Sequence, residues 1–390
     1  MEPSEHIHFS IFVIFTGSAL LATLALYARQ SLLVAYMLLG VLLGPWGLRW
    51  VGDLPMIQEI SRVGITFLLF LLGLNLHPQR LFQRLREMTW VTLWSSAVFA
   101  GMGWVAAVSF GFSWTEGIIV GAASMFSSTI IGLKLLPTTV LHHQQTGRLI
   151  ISILLLQDLI AILLLTLLRI MSMGGNPWLD ILHLFLSLPI LFAFAFLFER
   201  WVLIHLLRNF SEIHEYLFLA ALGWCLGVAE LSRWLGLSRE IGAFVAGVAI
   251  ATSPISYFIS ESLKPLRDFF LVIFFFTLGA RFDLEMLPKV FAPAMVLTTL
   301  WLAVKPPVFR WLLEKIGEPQ NLCHEIGTRL GQGSEFSLLL AYLALELQFI
   351  SSKASYLIQA AAVLSLMASS YWIVQRLPTP IGTSQQLRQS

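Results

Sequence analysis

The stretch Leu149-Ile-Ile-Ser-Ile-Leu-Leu-Leu-Gln-Asp-Leu-Ile-Ala-Ile-Leu-Leu-Leu165 holds one carboxylic acid, Asp158, with Gln157 before it, in an otherwise apolar run. Extended to ~20 residues, a helix of this kind crosses a hydrocarbon core of ~30 Å, which sets Asp158 near mid-depth. Inserting an Asp there costs about 2.5 to 3.5 kcal/mol, and a group kept at that cost is by default a proton relay or an ion ligand. The plainer alternative is an Asp that hydrogen-bonds a neighbouring helix for structure. A carboxylate holds a proton or a desolvated alkali cation, but not both at once. The pattern therefore points to Asp158, with Gln157 beside it, as an ion- and proton-binding site whose metal is an alkali cation.

The rest of the chain has the same character. Hydrophobic residues make up 57% and charged residues 12% of 390 positions, and mean hydropathy is +0.80. The charged share is about half that of a soluble domain. The net charge of +2 and the lack of a Lys/Arg run exclude a nucleic-acid partner. Cys225 and Cys323 show neither a disulfide framework nor metal-ligand spacing, so both are expected to be reduced packing residues. The start, up to His8, has no basic n-region, and the first apolar stretch reads as a retained span.

The apolar runs give an all-α membrane protein of thirteen spans, centred near residues 18, 38, 67, 99, 126, 159, 191, 224, 245, 273, 302, 333 and 363. No stretch is long and polar enough to hold a soluble core, so residues 1–390 read as a single membrane domain with a polar tail at 377–390. A cytosolic regulatory domain is expected only as a separate chain. One side of the membrane collects about twice as many loop Lys and Arg as the other, with Arg80, Arg84 and Arg86 in one loop. This orients the N-terminus outside and the C-terminus in the cytoplasm.

An internal repeat is visible at nearly constant spacing. Tyr36-Met-Leu-Leu-Gly-Val resembles Ala243-Phe-Val-Ala-Gly-Val, Leu72-Gly73 resembles Leu278-Gly279, and Phe126-Ser-Ser resembles Gly333-Ser-Glu, all 206 or 207 positions apart. The shift carries span 2 onto span 9. Because seven spans is an odd number, the halves 31–172 and 238–376 are expected to be inverted relative to each other, as in many secondary transporters. A scaffold or a lipid-modifying enzyme needs no such inversion.

In inverted-repeat transporters the substrate meets helices interrupted near mid-membrane. Two repeat-related spans fit. One holds Ser127, Ser128 and Thr129; the other holds Gln332, Ser334 and Glu335 after Gly331. Small polar residues also serve close helix packing, which is the alternative for either cluster alone. The second intramembrane charge is Lys305, in Trp301-Leu-Ala-Val-Lys-Pro-Pro. An ion pair with Asp158 is the economical expectation for it, and reaching toward the cytoplasmic face is the alternative. Arg329 and Glu335 are expected to serve as structural glue, and His142 and His143 to lie in a solvated loop.

These residues resemble the monovalent cation:proton antiporter-2 family, in particular the membrane domain of Kef-type potassium efflux proteins. The resemblance rests on Gly44-Pro-Trp-Gly47, Phe67-Leu-Leu-Phe-Leu-Leu-Gly-Leu74, Phe126-Ser-Ser-Thr129, Leu156-Gln-Asp-Leu159, Gly242-Ala-Phe-Val-Ala-Gly247, Lys305 and Gly331-Gln-Gly-Ser-Glu-Phe336. It implies a six-helix core domain that moves against a dimerisation domain, elevator-fashion, in a plasma-membrane homodimer surrounded by lipid. It implies that Asp158 binds ion or proton and pairs with Lys305. Gln157 replaces the second aspartate of the electrogenic members, which implies electroneutral exchange of K⁺ (or Na⁺) for H⁺, with no cofactor beyond the transported ions. Asn75 and Arg329 depart from the family pattern. The competing expectations are a Na⁺/H⁺ antiporter with the same site, a gated K⁺ channel, and a non-transporting sensor subunit.

Overall fold

The computed structural model describes residues 3–28, 30, 32–51, 54–74, 85–134, 145–172, 177–209, 213–251, 253, 255–282 and 284–377. Asn75, Arg80, Arg84, His142, His143 and the tail beyond Leu377 lie outside them.

Within the described residues the chain is helical throughout and contains no strand. Hydrocarbon offers the backbone no hydrogen-bonding partner, so each crossing segment must satisfy its own amides. The first helices are α1 (Pro3–Tyr27), α2 (Leu32–Leu43), α3 (Leu54–Leu74) and α4 (Leu85–Ser109). The fifth segment is broken into α5a (Trp114–Ser124) and α5b (Thr129–Lys134), followed by α6 (Gln145–Ser172). Helix α7 runs Pro177–Phe198, turns through a π-helical stretch at Glu199–Leu203, and continues over Ile204–Asn209. Then come α8 (His214–Trp234), α9 (Arg239–Ala251), α10 (Ser256–Ala280) and α11 (Leu287–Lys315). The twelfth segment is broken into α12a (Gln320–Arg329) and α12b (Glu335–Glu346), and α13 (Ser352–Arg376) ends the described chain.

A helix, or the break between two half-helices, stands at each of the thirteen centres expected from the sequence. Eight helices among the described residues are long and apolar enough to cross a membrane by length and composition. The others are the short α2 and α9, the two interrupted segments, and α10, which carries Glu261, Lys264, Arg267 and Asp268.

The helices form two compact units. The first contains Met1–Ser18, Met37–Gln83 and Thr166–Arg281. Its core shows the inverted repeat in atomic detail. A Cβ on Gly40 would lie 2.0 Å from the carbonyl oxygen of Phe276, and one on Gly247 would lie 2.1 Å from that of Phe70. Likewise a Cβ on Gly279 would meet the Met37 carbonyl at 2.0 Å, and one on Gly73 the Phe244 carbonyl at 2.3 Å. Gly40 and Gly247, Phe70 and Phe276, Gly73 and Gly279, and Met37 and Phe244 are repeat mates. A two-fold relation between the halves sends each contact onto the other. Only hydrogen at these four positions lets the backbones approach so closely.

The second unit contains Ala19–Tyr36, Arg84–Leu165 and Phe282–Ser390. Its helices α4 to α6 and α11 to α13 are three from each half. One cluster of its core joins Val91 and Phe99 of α4, Ile150 and Ile153 of α6, Phe309 and Leu312 of α11, and Ile326 and Leu330 of the twelfth segment. Every site residue expected from the sequence lies in this unit.

Candidate functional site

Helix α5a is started by Ser113, which caps it in a reciprocal pair with Glu116, and it stops at Ser124. The backbone of 125–128 is non-helical before α5b begins at Thr129. Helix α12a likewise stops at Arg329, and α12b starts from Ser334, whose hydroxyl accepts from Phe336 N at 3.1 Å. Each break exposes carbonyls that have no helical partner. In a membrane those groups must be met by protein, and here they are.

The two breaks are tied to each other in both directions. Ser127 Oγ donates to the Leu330 carbonyl at 2.8 Å, and Ser337 Oγ donates to the Ala123 carbonyl at 2.6 Å. Ala123 and Leu330 are repeat mates, so equivalent carbonyls are met in both halves, although the donors Ser127 and Ser337 are not themselves mates. Lys305 Nζ completes the tie, donating to the Phe126 carbonyl at 2.7 Å and to the Gln332 carbonyl at 3.1 Å. Its ammonium also sits 5.3 Å from the ring centroids of Phe99 and Trp301. A cation placed at the carbonyl ends of two half-helices is favoured by both helix dipoles.

This differs from the expected ion pair. Lys305 is fully buried, so it does not reach for the cytoplasmic face. Neither does it pair with Asp158: its ammonium is spent on the two carbonyls. The physical reason is local. Proline at 306 and 307 and glycine at 327 and 331 let α12a pack against the Lys305 turn, where a Cβ on Gly327 would lie 2.5 Å from the Pro306 carbonyl. The α12 break is thereby brought within reach of the Lys305 side chain.

Asp158 is 2% exposed, and both of its oxygens accept from Thr129 Oγ1, at 3.4 and 3.3 Å. Thr129 is the first residue of α5b and Glu335 the first of α12b. The Glu335 carboxylate lies within electrostatic range of Asp158. Acids therefore stand at the starts of the second half-helices and Lys305 at the ends of the first, the arrangement that opposed dipoles favour.

Gln157 takes a different part from its expected place beside the ion. Its Oε1 accepts from Ser127 N at 3.0 Å and its Nε2 donates to the Met125 carbonyl at 3.0 Å, so its amide holds the α5 break. Ser128 Oγ accepts from Ile131 N at 3.2 Å and starts α5b. Gln332 donates to the Arg329 carbonyl at 2.9 Å and accepts from Ser369 Oγ at 3.0 Å. Ser334 N donates to Ser337 Oγ at 3.3 Å. Arg329, 1% exposed, pairs with Glu325 at 2.9 Å one turn earlier.

Sequence reading missed Ser337, Ser365 and Ser369. Ser365 Oγ accepts from Gly333 N at 3.0 Å, so α13 braces the α12 break as α6 braces the α5 break. The available signals were the Ser334/Ser337 spacing of a capping box and the Ser365/Ser369 spacing of one helix face.

The structure has the fold of solved antiporters. The sodium proton antiporter MjNhaP1 from Methanocaldococcus jannaschii at pH 8 superposes with a TM-score of 0.70 at 16% identity, covering 95% of this chain and 97% of that chain. The electron-microscopy structure of the same antiporter gives 0.68 at 17% identity, covering 95% and 96%. In sequence, K(+) efflux antiporter 4 of Arabidopsis thaliana is 30% identical over 351 residues, which cover 88% of this chain and 59% of that relative. The chain thus spans a little under two thirds of that relative's length. Residues 12–375 match the family described as "Sodium/hydrogen exchanger, transmembrane". With that match over nearly its whole length, on a fold of inverted halves and two interrupted helices, the chain belongs to the sodium/hydrogen exchanger family of membrane transporters.

Proposed function

We propose that the chain is a secondary active antiporter that exchanges a monovalent cation, K⁺ in preference, for protons, electroneutrally. The observation that carries this reading is Asp158: a buried carboxylate in the middle of α6, facing the start of α5b at a crossing of interrupted helices. One carboxylate that takes H⁺ or a cation, but not both, couples the two flows. With Gln157 in the neighbouring position, no second acid adjoins it in sequence, which favours one proton per monovalent cation.

Asp158 is the ion and proton ligand in this reading, with Thr129 at its side. Lys305, Gln157, Ser127, Ser128, Gln332 and Ser334 hold the crossing, and Glu335 contributes negative potential. The halves 31–172 and 238–376 supply alternating access by inversion, and the six-helix unit carries the site across, elevator-fashion. The transporter works as a homodimer in a plasma membrane, N-terminus outside and C-terminus cytoplasmic. The excess of basic loop residues on one side supports that orientation.

A sodium/proton exchanger with the same site is the second reading, favoured by the description of the matched family. Proteoliposomes loaded with a pH-sensitive dye and challenged in turn with Li⁺, Na⁺, K⁺ and Rb⁺ decide between them. The expected result is saturable proton flux, strongest with K⁺, insensitive to valinomycin-clamped potential, and abolished in Asp158→Asn. Flux that requires a potential and does not saturate would make the protein a channel. Absence of flux with all four ions would remove the antiport reading.

A further inference from the structure

Helix α7 lies outside both repeats, and it carries the one carboxylate inside its membrane window, Leu186–Leu206. That residue, Glu199, is 7% exposed. Along α7 the buried positions run Ser187, Leu191, Ala195, Glu199 and Leu203, every fourth residue. In a regular α-helix such a row drifts around the axis by about 40° per step and soon faces outward. The π-helical stretch begins at Glu199 and turns the row back, keeping Glu199 and Leu203 on the buried face. Single π turns recur at functional positions in helices.

Nothing in the surroundings explains an acid there. Among the described residues the Glu199 side chain has neither a hydrogen bond nor an ion pair, and the charge acting on it is that of Arg200, the next residue, whose side chain is exposed. Helix α9, which packs on α7, presents Ile241–Ala251, a buried stretch with no ionisable side chain. Helix α8 reaches this part of α7 through Trp224, which stacks on Phe198 at 5.2 Å and donates to the Ala246 carbonyl at 3.0 Å. The neighbouring Cys225 thiol is buried, and Glu215, Glu230 and Arg233 lie near the ends of α8. On α7 itself, His205 is the other titratable side chain nearby and is exposed. A structural acid in a membrane is expected to be paired or hydrogen-bonded, and among the described residues this side chain is neither.

We propose that Glu199 is a proton-binding site separate from the Asp158 crossing, through which pH adjusts the rate of exchange without the proton being the one transported. Protonated, the side chain is a neutral acid that fits the apolar stripe. Ionised, it is an anion whose available counter-charge is Arg200, at the outer side of the same turn. The two forms favour different positions of the π turn, and that difference is what pH controls.

Proton binding is tested without assuming transport. The purified protein is treated with dicyclohexylcarbodiimide, which couples to protonated carboxyls in apolar surroundings, and modified peptides are mapped by mass spectrometry from about pH 5.5 to 8.5. Glu199 is expected to be modified along a single titration curve, and equally so in Asp158→Asn. Absence of modification at every pH, while Asp158 is modified, overturns the proposal. The regulatory half rests on the antiport reading and is tested in proteoliposomes. Glu199→Gln, with Glu199→Asp as a second variant against misfolding, is expected to move the pH of half-maximal exchange by about half a unit or more and to keep the maximal rate within about twofold. Superimposable pH profiles overturn the regulatory half. Should wild-type protein show no exchange at all, the antiport reading fails, and the labelling result alone decides whether Glu199 binds a proton.

Discussion

The ammonium of Lys305 donates to the carbonyl of Phe126 at 2.7 Å, across 179 positions of sequence, and by a second bond to the carbonyl of Gln332, one residue before the repeat mate of Phe126. A single side chain thus binds the break in each of the two halves, at points one residue out of register. It acts as a resident cation for two helix ends, and among the described residues Asp158 is left without a counter-ion of its own.

The Lys305→Gln variant is therefore expected to lose stability through the crossing and not through Asp158. Two charge-assisted hydrogen bonds disappear, a loss of about 3 kcal/mol. A double-mutant cycle with Asp158→Asn separates the two explanations. If the carbonyl tie dominates, the two losses add to within about 0.5 kcal/mol. Melting of the four proteins in detergent measures this, and strong non-additivity would restore the ion pair.

Ser337→Ala removes the donor to the Ala123 carbonyl and leaves that oxygen buried and unmet. The expected cost is about 1 to 3 kcal/mol, and Ser127→Ala should cost a similar amount through the Leu330 carbonyl. Chemical denaturation followed by tryptophan fluorescence reads both. A neutral result for either variant would mean that its bond does not hold the crossing.

At the glycine contacts of the first unit a methyl group has no room. Gly40→Ala and Gly247→Ala should each destabilise by about 3 kcal/mol, since the new Cβ would meet a backbone oxygen that cannot rotate away. Gly223→Ala is the control, because a Cβ there meets nothing within 4 Å. It should be neutral or stabilising by up to about 1 kcal/mol. Yield of folded protein and melting temperature distinguish the three.

Thr129→Val keeps the shape at the start of α5b and removes the hydroxyl that faces Asp158. Because those contacts are long, at 3.3 and 3.4 Å, the effect should be modest. A rise of about threefold in the KM for the cation at unchanged maximal rate is expected in the proteoliposome assay, well short of the tenfold that 1.4 kcal/mol would give. Complete loss of exchange would assign Thr129 a direct place in ion coordination.

Much of this was legible without coordinates, for reasons that belong to a chain in lipid. Runs such as 149–165 must be helices because hydrocarbon allows no other way to satisfy their amides, and an odd shift of spans must invert one half against the other. The breaks at 125–128 and 330–334 were marked by glycine and small polar residues, and the depth of Asp158 followed from counting. These are properties of composition and spacing, which a linear sequence contains in full.

The partners of the polar side chains were decided only by the fold. Lys305 had two acceptors of suitable chemistry, a carboxylate and a pair of carbonyls, and residue types do not rank them; a few ångströms of packing between α11 and α12a do. For the same reason the Gln157 amide proved to brace the α5 break, Ser337 proved to join the halves, and Glu199 proved to be buried by a π turn that no hydropathy pattern announces. Hydropathy acts residue by residue along the chain, whereas a hydrogen bond depends on the distance between groups far apart in it.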